Sequence, residues 1–311
     1  MIPETTLGRY DVQSAFVAAG TGAEHTLFLT HLLFWAAGGI FFVVMSIALW
    51  AWHRNAAPRA WWVWLGGVVV PVIALSSLIV GSTFTLAAIG RVDRDALVIE
   101  VTGYQYWWNV VYDPGGAALR DANEIVLPEG VPVTFRLKSD DVIHSFWVPS
   151  ISGKMDMIPG RVNELTVTAT KAGRFRGQCA EFCGLSHPLM AFEVVVLPPA
   201  EFSAFLAGLE GEARDADTLQ LVQGRDVFLN GGCAACHAIR GVATGARLGP
   251  DLTRVGGRAS LGAGMWRMNV GNLAGWIADV QDMKPGANMP SFNQLSGPDL
   301  RAVAHYLDSL K

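Results

Sequence analysis

Two long apolar runs open the chain, and a shorter rhythm follows them. Thr26 to Trp52 holds 27 residues without a charge, and Trp61 to Gly90 holds 30. About 20 apolar residues cross a bilayer as a helix. The pattern therefore predicts a transmembrane hairpin, with helices over 26–52 and 61–85. Trp35, Trp50, Trp52, Trp61, Trp62 and Trp64 supply an interfacial aromatic belt. Pro71 lies inside the second run and is expected to kink it. The connection His53–Arg59 has two arginines and no acid, which places it in the cytoplasm and both termini outside.

From Ala96 the apolar residues come in short runs bounded by Gly and Pro. Leu97–Val101, Tyr104–Tyr112, Glu124–Leu127, Pro132–Leu137, Glu164–Thr168 and Ala191–Val196 read as strands. Strands at this spacing predict an all-β sandwich or barrel. Residues 198–219 start with Pro198-Pro199, are acidic, and carry one short helical stretch over Glu201–Leu209. Further on, Leu300, Val303, Ala304, Leu307 and Leu310 share one helix face. The predicted organisation is a multidomain membrane protein. Residues 1–90 hold an N-terminal segment and the hairpin, and 91–197 an all-β domain. Residues 198–219 form a linker, and 220–311 an all-α domain.

Composition sharpens this picture. Of 311 residues, 51% are hydrophobic and only 16% charged, which fits membrane segments joined to soluble domains. The net charge of −4 is unevenly spread. Residues 91–197 carry ten basic against thirteen acidic side chains, whereas 220–311 carry nine against six. An acidic middle domain beside a basic terminal one favours their docking, weakly at physiological salt. No polybasic run is present, so nucleic acid is not an expected partner.

The candidate chemistry lies in two short motifs, which between them hold all four cysteines. The first is Cys179-Ala-Glu-Phe-Cys183-Gly-Leu-Ser-His187-Pro-Leu-Met190. Two thiols, an imidazole and a thioether in twelve residues suit a soft metal such as copper. His144, within Asp141-Val-Ile-His-Ser-Phe-Trp, adds a second imidazole. Two coppers bridged by both thiolates would use this whole inventory. A disulfide would leave the clustered His and Met unexplained, and structural zinc seldom recruits Met. The second motif, Cys233-Ala-Ala-Cys236-His237, reads as covalent haem c attachment, with His237 placed to ligate iron. Met289, in Lys284-Pro-Gly-Ala-Asn-Met-Pro290, is the best candidate for the second axial ligand.

The run Ile158-Pro-Gly-Arg-Val-Asn163 with Gly177-Gln-Cys-Ala-Glu-Phe-Cys-Gly184 resembles subunit II of cytochrome c oxidase, over roughly 25–197. The resemblance implies a cupredoxin fold and a dinuclear Cu-A centre. Cys179 and Cys183 would bridge the coppers, and His144 and His187 would be terminal ligands. Met190 and the Glu181 carbonyl would be weak ligands, with the Glu181 side chain helping to hold magnesium shared with subunit I. Aromatic residues at Tyr106, Trp107 and Trp108 would form the electron-input surface, with Tyr106 where the family has Trp. Residues 220–311 resemble class I cytochromes c. There Gly249-Pro250 would support the ligating His, and Gly224, Phe228 and Tyr306 would mark a crossing of the first and last helices.

Together the two resemblances imply subunit II of a caa-type haem–copper oxidase, an oxidoreductase in a bacterial inner membrane with its soluble domains periplasmic. Its implied partners are subunit I, other oxidase subunits and an external cytochrome c or other donor. This chain would relay electrons and reduce no oxygen itself. Many family members place an acid before the second helix as a proton inlet, yet Arg54 to Gly67 contains none. That departure keeps a related nitric oxide reductase open as an alternative. A membrane-anchored copper chaperone is a further rival, though it has no use for an attached haem.

Overall fold

The computed structural model describes residues 13–54, 59–112, 116 and 118–311. The two apolar runs form helices Thr21–Arg54 and Ala60–Ile89. Their apolar side chains point away from the rest of the chain. Phe34, Trp35, Phe42 and Phe84 are 68%, 73%, 70% and 73% exposed. A soluble core helix would bury these groups, so the surface suits lipid or partner subunits. Part of the predicted cytoplasmic connection, 55–58, lies outside the described residues. The interruption expected at Pro71 takes the form of a π-helical turn, Leu65–Val69, just before it. The Val70 amide donates back to the Leu65 carbonyl there. Proline has no N–H for an i−4 bond, and a wider turn absorbs that loss.

The first apolar helix is fastened to the β-domain at its N-terminal end. The Ala19 amide donates to Ser150 O at 2.7 Å, and the Ala23 amide to Ile151 O at 3.0 Å. A side chain at Gly20 would meet Ile151 O at 2.6 Å, so only glycine fits.

The β-domain packs two five-stranded sheets face to face, as the strand spacing predicts. One contains β1 (Leu97–Tyr104), β2 (Trp107–Tyr112), β3 (Leu119–Ala122), β5 (Pro132–Ser139) and β8 (Asn163–Thr168), in the order β3-β2-β1-β5-β8. The other contains β4 (Glu124–Pro128), β6 (His144–Trp147), β7 (Met155–Met157), β9 (Gly173–Cys179) and β10 (Ala191–Leu197), in the order β4-β10-β9-β6-β7. An aromatic cluster fills the space between them. Phe146 stacks on Phe192 at 4.8 Å, while Trp108 and Phe135 pack against this pair at 5.0 and 4.9 Å. Truncating one such ring to alanine costs roughly 3–5 kcal/mol.

One expectation is corrected here. The aromatic run Tyr104–Tyr112 is not one strand. It is the tip of the β1–β2 hairpin, with Gln105–Tyr106 as the turn and Tyr104 paired to Trp107. Aromatic side chains favour strands, so the sequence pattern runs straight through a turn that cross-strand stacking holds shut. The Tyr104 and Trp107 rings lie 4.7 Å apart and nearly parallel. His144 is the first residue of β6.

Helix Pro199–Glu210 buries Phe202 and Leu209 against the sandwich. The terminal domain is helical. Helices Leu219–Asn230 and Gly297–Ser309 cross at Gly224, where a Cβ would meet Ala302 O at 2.2 Å. Phe228 and Tyr306 pack beside that crossing, 6.4 Å apart. Helix Val270–Ala278 and a small hairpin of β11 (Ser260–Leu261) and β12 (Trp266–Arg267) complete the unit.

The two soluble domains are joined by buried polar contacts. Arg258 pairs with Asp121 at 2.8 Å, both 6–7% exposed. Beside them, Glu124 Oε2 accepts from the Ala259 amide at 3.4 Å, and Arg174 bridges to Glu193 at 3.1 Å. Burial, with Asp121 and Glu193 close by, raises Glu124 to about 7. Its folded pKa therefore lies above its unfolded one, and the folded chain holds the proton more tightly. The stabilisation is complete below about 4.5 and is lost as pH rises through about 7. The thermal midpoint of the full chain should fall between about pH 5 and pH 8 through this group, and Glu124→Gln should flatten that slope. An equally steep slope in the variant would contradict the assignment.

Candidate metal centres

The first centre is built on a loop closed by β9 and β10. Gln178 pairs with Ala191 across the ladder, and the Cys179 amide donates to Met190 O at 2.8 Å. Everything from 180 to 189 is thus tied at its neck. Gly184 sits at φ +121°, and a Cβ there would meet Tyr106 Oη at 2.6 Å. A short 3-10 turn, His187–Leu189, brings His187 back toward the thiols.

The predicted donors converge. Cys179 Sγ lies 3.8 Å from Cys183 Sγ, 3.8 Å from His144 Nδ1 and 3.2 Å from Glu181 O. Cys183 Sγ lies 3.6 Å from His187 Nδ1 and 3.8 Å from Met190 Sδ. His144, Cys179, Cys183 and Met190 are all buried, and no disulfide joins the thiols. The inventory of two thiols, two imidazoles and one thioether fits a soft metal pair.

Neighbouring groups hold these donors in place. Asp141 Oδ1 lies 2.7 Å from His144 Nε2, and its Oδ2 accepts from the Gln105 amide at 2.6 Å. That contact aims Nδ1 at the sulfurs. Burial alone would lower the His144 pKa, but Asp141 and Cys179 outweigh it and raise it to about 9. The thiols share a proton: hydrogen bonding from Cys183 holds Cys179 well below the usual thiol range, and Cys179 in turn pushes Cys183 up. A bound metal replaces such protons. Gln178, next to Cys179, accepts from the Gln13 side chain.

The second centre starts from a 3-10 turn at Cys233–Ala235, in which the His237 amide donates to Cys233 O. No disulfide joins Cys233 to Cys236. His237 Nδ1 donates to Pro250 O at 2.8 Å, which leaves Nε2 available as a ligand atom. Burial lowers the His237 pKa, which keeps the imidazole neutral. A Cβ at Gly249 would come within 2.5 Å of the ring. Met289 packs against the domain core with Met268 and Phe292. These features fit a covalently held haem.

The three aromatic candidates separate. Trp108 is fully buried, 6.1 Å from the His144 ring, with Nε1 donating to Ala191 O. Trp107 faces the other side of the hairpin, stacked on Tyr104. Tyr106 is 6% exposed and lies beneath the terminal domain. Three further residues escaped sequence reasoning. Gln105 Nε2 donates to Cys183 O at 2.6 Å, and Ser186 Oγ donates to Pro285 O at 2.6 Å. Lys284 is buried between the domains. The adjacent aromatic run was the only sequence signal for Gln105; the other two had none.

Known proteins match both of the domains that carry these residues. Residues 113–197 match the family described as cytochrome c oxidase subunit II, periplasmic domain, and residues 221–311 match cytochrome c. The chain is 37% identical over 265 residues to cytochrome c oxidase subunit 2 of Alkalihalophilus pseudofirmus, covering 83% of this chain and 75% of that one. It is 34% identical over 254 residues to the Bacillus subtilis subunit 2, covering 78% and 70%. A crystal structure of the periplasmic domain of subunit II of cytochrome oxidase from Bradyrhizobium japonicum is 31% identical. That match covers 39% of this chain and 97% of the other, with a TM-score of 0.37. Two apolar helices, a cupredoxin-like domain and a cytochrome c domain define a membrane-anchored redox protein with periplasmic domains. The chain belongs to the cytochrome c oxidase subunit 2 family, and so to a haem–copper oxidase that associates with subunit I.

Asp141→Asn should keep the fold and haem content while lowering copper affinity by about 10–100-fold, the usual cost of losing a partner of a metal-bound imidazole. Copper per chain after dialysis, against haem per chain, checks this.

Proposed function

We propose that this chain is the electron-input subunit of a terminal cytochrome c oxidase, in which a covalent haem c and a dinuclear Cu-A centre carry single electrons toward the subunit I haem where oxygen is reduced to water. The observation that carries this reading is the convergence of Cys179, Cys183, His144, His187 and Met190 under a domain that presents Cys233, Cys236 and His237.

Each residue has a part. Cys179 and Cys183 would bridge the copper pair, with His144 and His187 as its imidazole ligands. Met190 and the Glu181 carbonyl would complete it weakly. Cys233 and Cys236 would anchor the haem vinyl groups, and His237 and Met289 would take the iron's axial positions. The Glu181 carboxylate would contribute to a magnesium ion shared with subunit I. Asp141 fixes the His144 ring, and the sandwich holds both thiols out of water. A rigid, dry ligand frame needs little rearrangement when its charge changes. Phe182 and Leu185 are 75% and 73% exposed on the same loop. They provide an apolar rim for a protein partner.

The positive hairpin connection supports an inner-membrane placement with both soluble domains outside. Tyr106, buried beneath the haem domain, supports a tethered donor at this surface, with any external cytochrome c delivering to the haem domain. The relatives' names support oxygen over nitric oxide as terminal substrate.

The purified chain should carry two coppers and one low-spin haem c. Cys183→Ser should lose the near-infrared copper band and both coppers while keeping the haem spectrum. Loss of both signals, or of neither, would overturn the reading.

A further inference from the structure

The haem domain touches the copper loop beside three of its ligands. The Ala191 amide, next to Met190, donates to Ala263 O at 3.0 Å. Ser186 Oγ, next to His187, donates to Pro285 O at 2.6 Å. Tyr106, packed on Gly184 next to Cys183, gives its carbonyl to Lys284 Nζ at 2.8 Å. The same ammonium donates to Gly262 O at 2.8 Å, within its own domain. Lys284 and Pro285 lie just upstream of Met289.

Lys284 is unusual on physical grounds. It is 1% exposed, and both of its hydrogen-bond acceptors are neutral carbonyls. Lysine is almost never fully buried without a paired charge. Burial drives its pKa down to about 7. A residue that costs this much to bury adds little net stability beyond what an apolar residue of its size would give. What it supplies is direction, since its two bonds fix one domain's carbonyl against the other's.

We infer that Lys284 is a positioning residue for electron transfer between the two centres, seating the haem domain on Tyr106 and the copper loop, with the Ser186–Pro285 contact as its second support. The inference rests on the proposed function, and it makes the haem domain part of the wall around the copper site. A cation held here also favours the reduced, less positive state of the copper pair. Its removal should lower that centre's reduction potential.

The test uses the full chain in its oxidase complex, as wild type, Lys284→Met and Ser186→Ala. Three quantities are read: the rate of haem-to-copper electron exchange after photoreduction, the potential of each centre at pH 6, and protease resistance of residues 211–218. Lys284→Met should slow exchange severalfold, because electron tunnelling weakens steeply as the two centres move apart. It should also lower the copper potential, leave the haem potential alone, and speed cleavage of the linker. Ser186→Ala should slow exchange by a smaller factor without moving either potential. Wild-type exchange and wild-type copper potential in Lys284→Met would overturn the inference. If Lys284→Met fails to fold, Ser186→Ala decides: slowed exchange supports the inference and a wild-type rate overturns it. Absence of a two-copper signal in the wild type would instead overturn the proposed function.

Discussion

One backbone hydrogen bond closes the copper loop: the Cys179 amide to the Met190 carbonyl, 2.8 Å. It continues the β9–β10 ladder by one rung and pins both ends of the ligand stretch. Without that rung, the loop would be a flexible tether carrying four soft donors. With it, Cys179 and Met190 are fixed by strand geometry, and only the turn between them has conformations to lose on binding metal. His144 enters from β6, whose Phe146 pairs with Cys179 on the adjacent strand. Three neighbouring strands thus set the frame, and the aromatic layer of Phe146, Phe192 and Trp108 keeps it from shifting.

This dependence explains where the local sequence looks costly. Gly177 lies where a Cβ would meet the Phe192 ring at 2.2 Å, so the strand bearing Cys179 gives up a side chain to bring that ring under the site. A sheet interior loses some stability with glycine. Here the loss is offset by close packing against the ladder that carries the ligands.

The ligand set was legible because it is local. Cys179, Cys183, His187 and Met190 fall within twelve residues, and Cys233, Cys236 and His237 within five. The hairpin was legible from charge-free length. Strands with strong apolar character were also found, whereas β3, β6, β7 and β9 were not. Leu119–Ala122 is half charged, Met155–Met157 is three residues long, and Gly173–Cys179 spends two positions on glycine and two on arginine. In β9 the inward residues Phe175, Gly177 and Cys179 do alternate with polar ones, but glycine hides the period. The contacts of Lys284 were illegible for another reason. Its partner Tyr106 lies 178 residues away, and lysine carries a strong expectation of exposure.

The character of the domain interface follows from the tether. Only residues 211–218 separate helix Pro199–Glu210 from helix Leu219–Asn230. A short linker holds two domains at an effective concentration on the order of millimolar, so docking needs little intrinsic affinity. A diffusing partner would need a broad apolar patch, which binds strongly but tolerates sliding. A tethered one can use buried polar contacts instead, which add little net energy but penalise every misplaced geometry, because a shifted Arg258 would leave a buried charge unpaired and a shifted Lys284 would lose the carbonyls its buried ammonium donates to. The acidic middle domain and basic terminal domain are the long-range form of the same arrangement. Arg258 on Asp121 is its contact form. Redox partners need alignment more than grip, and this interface is made of the interactions that supply alignment.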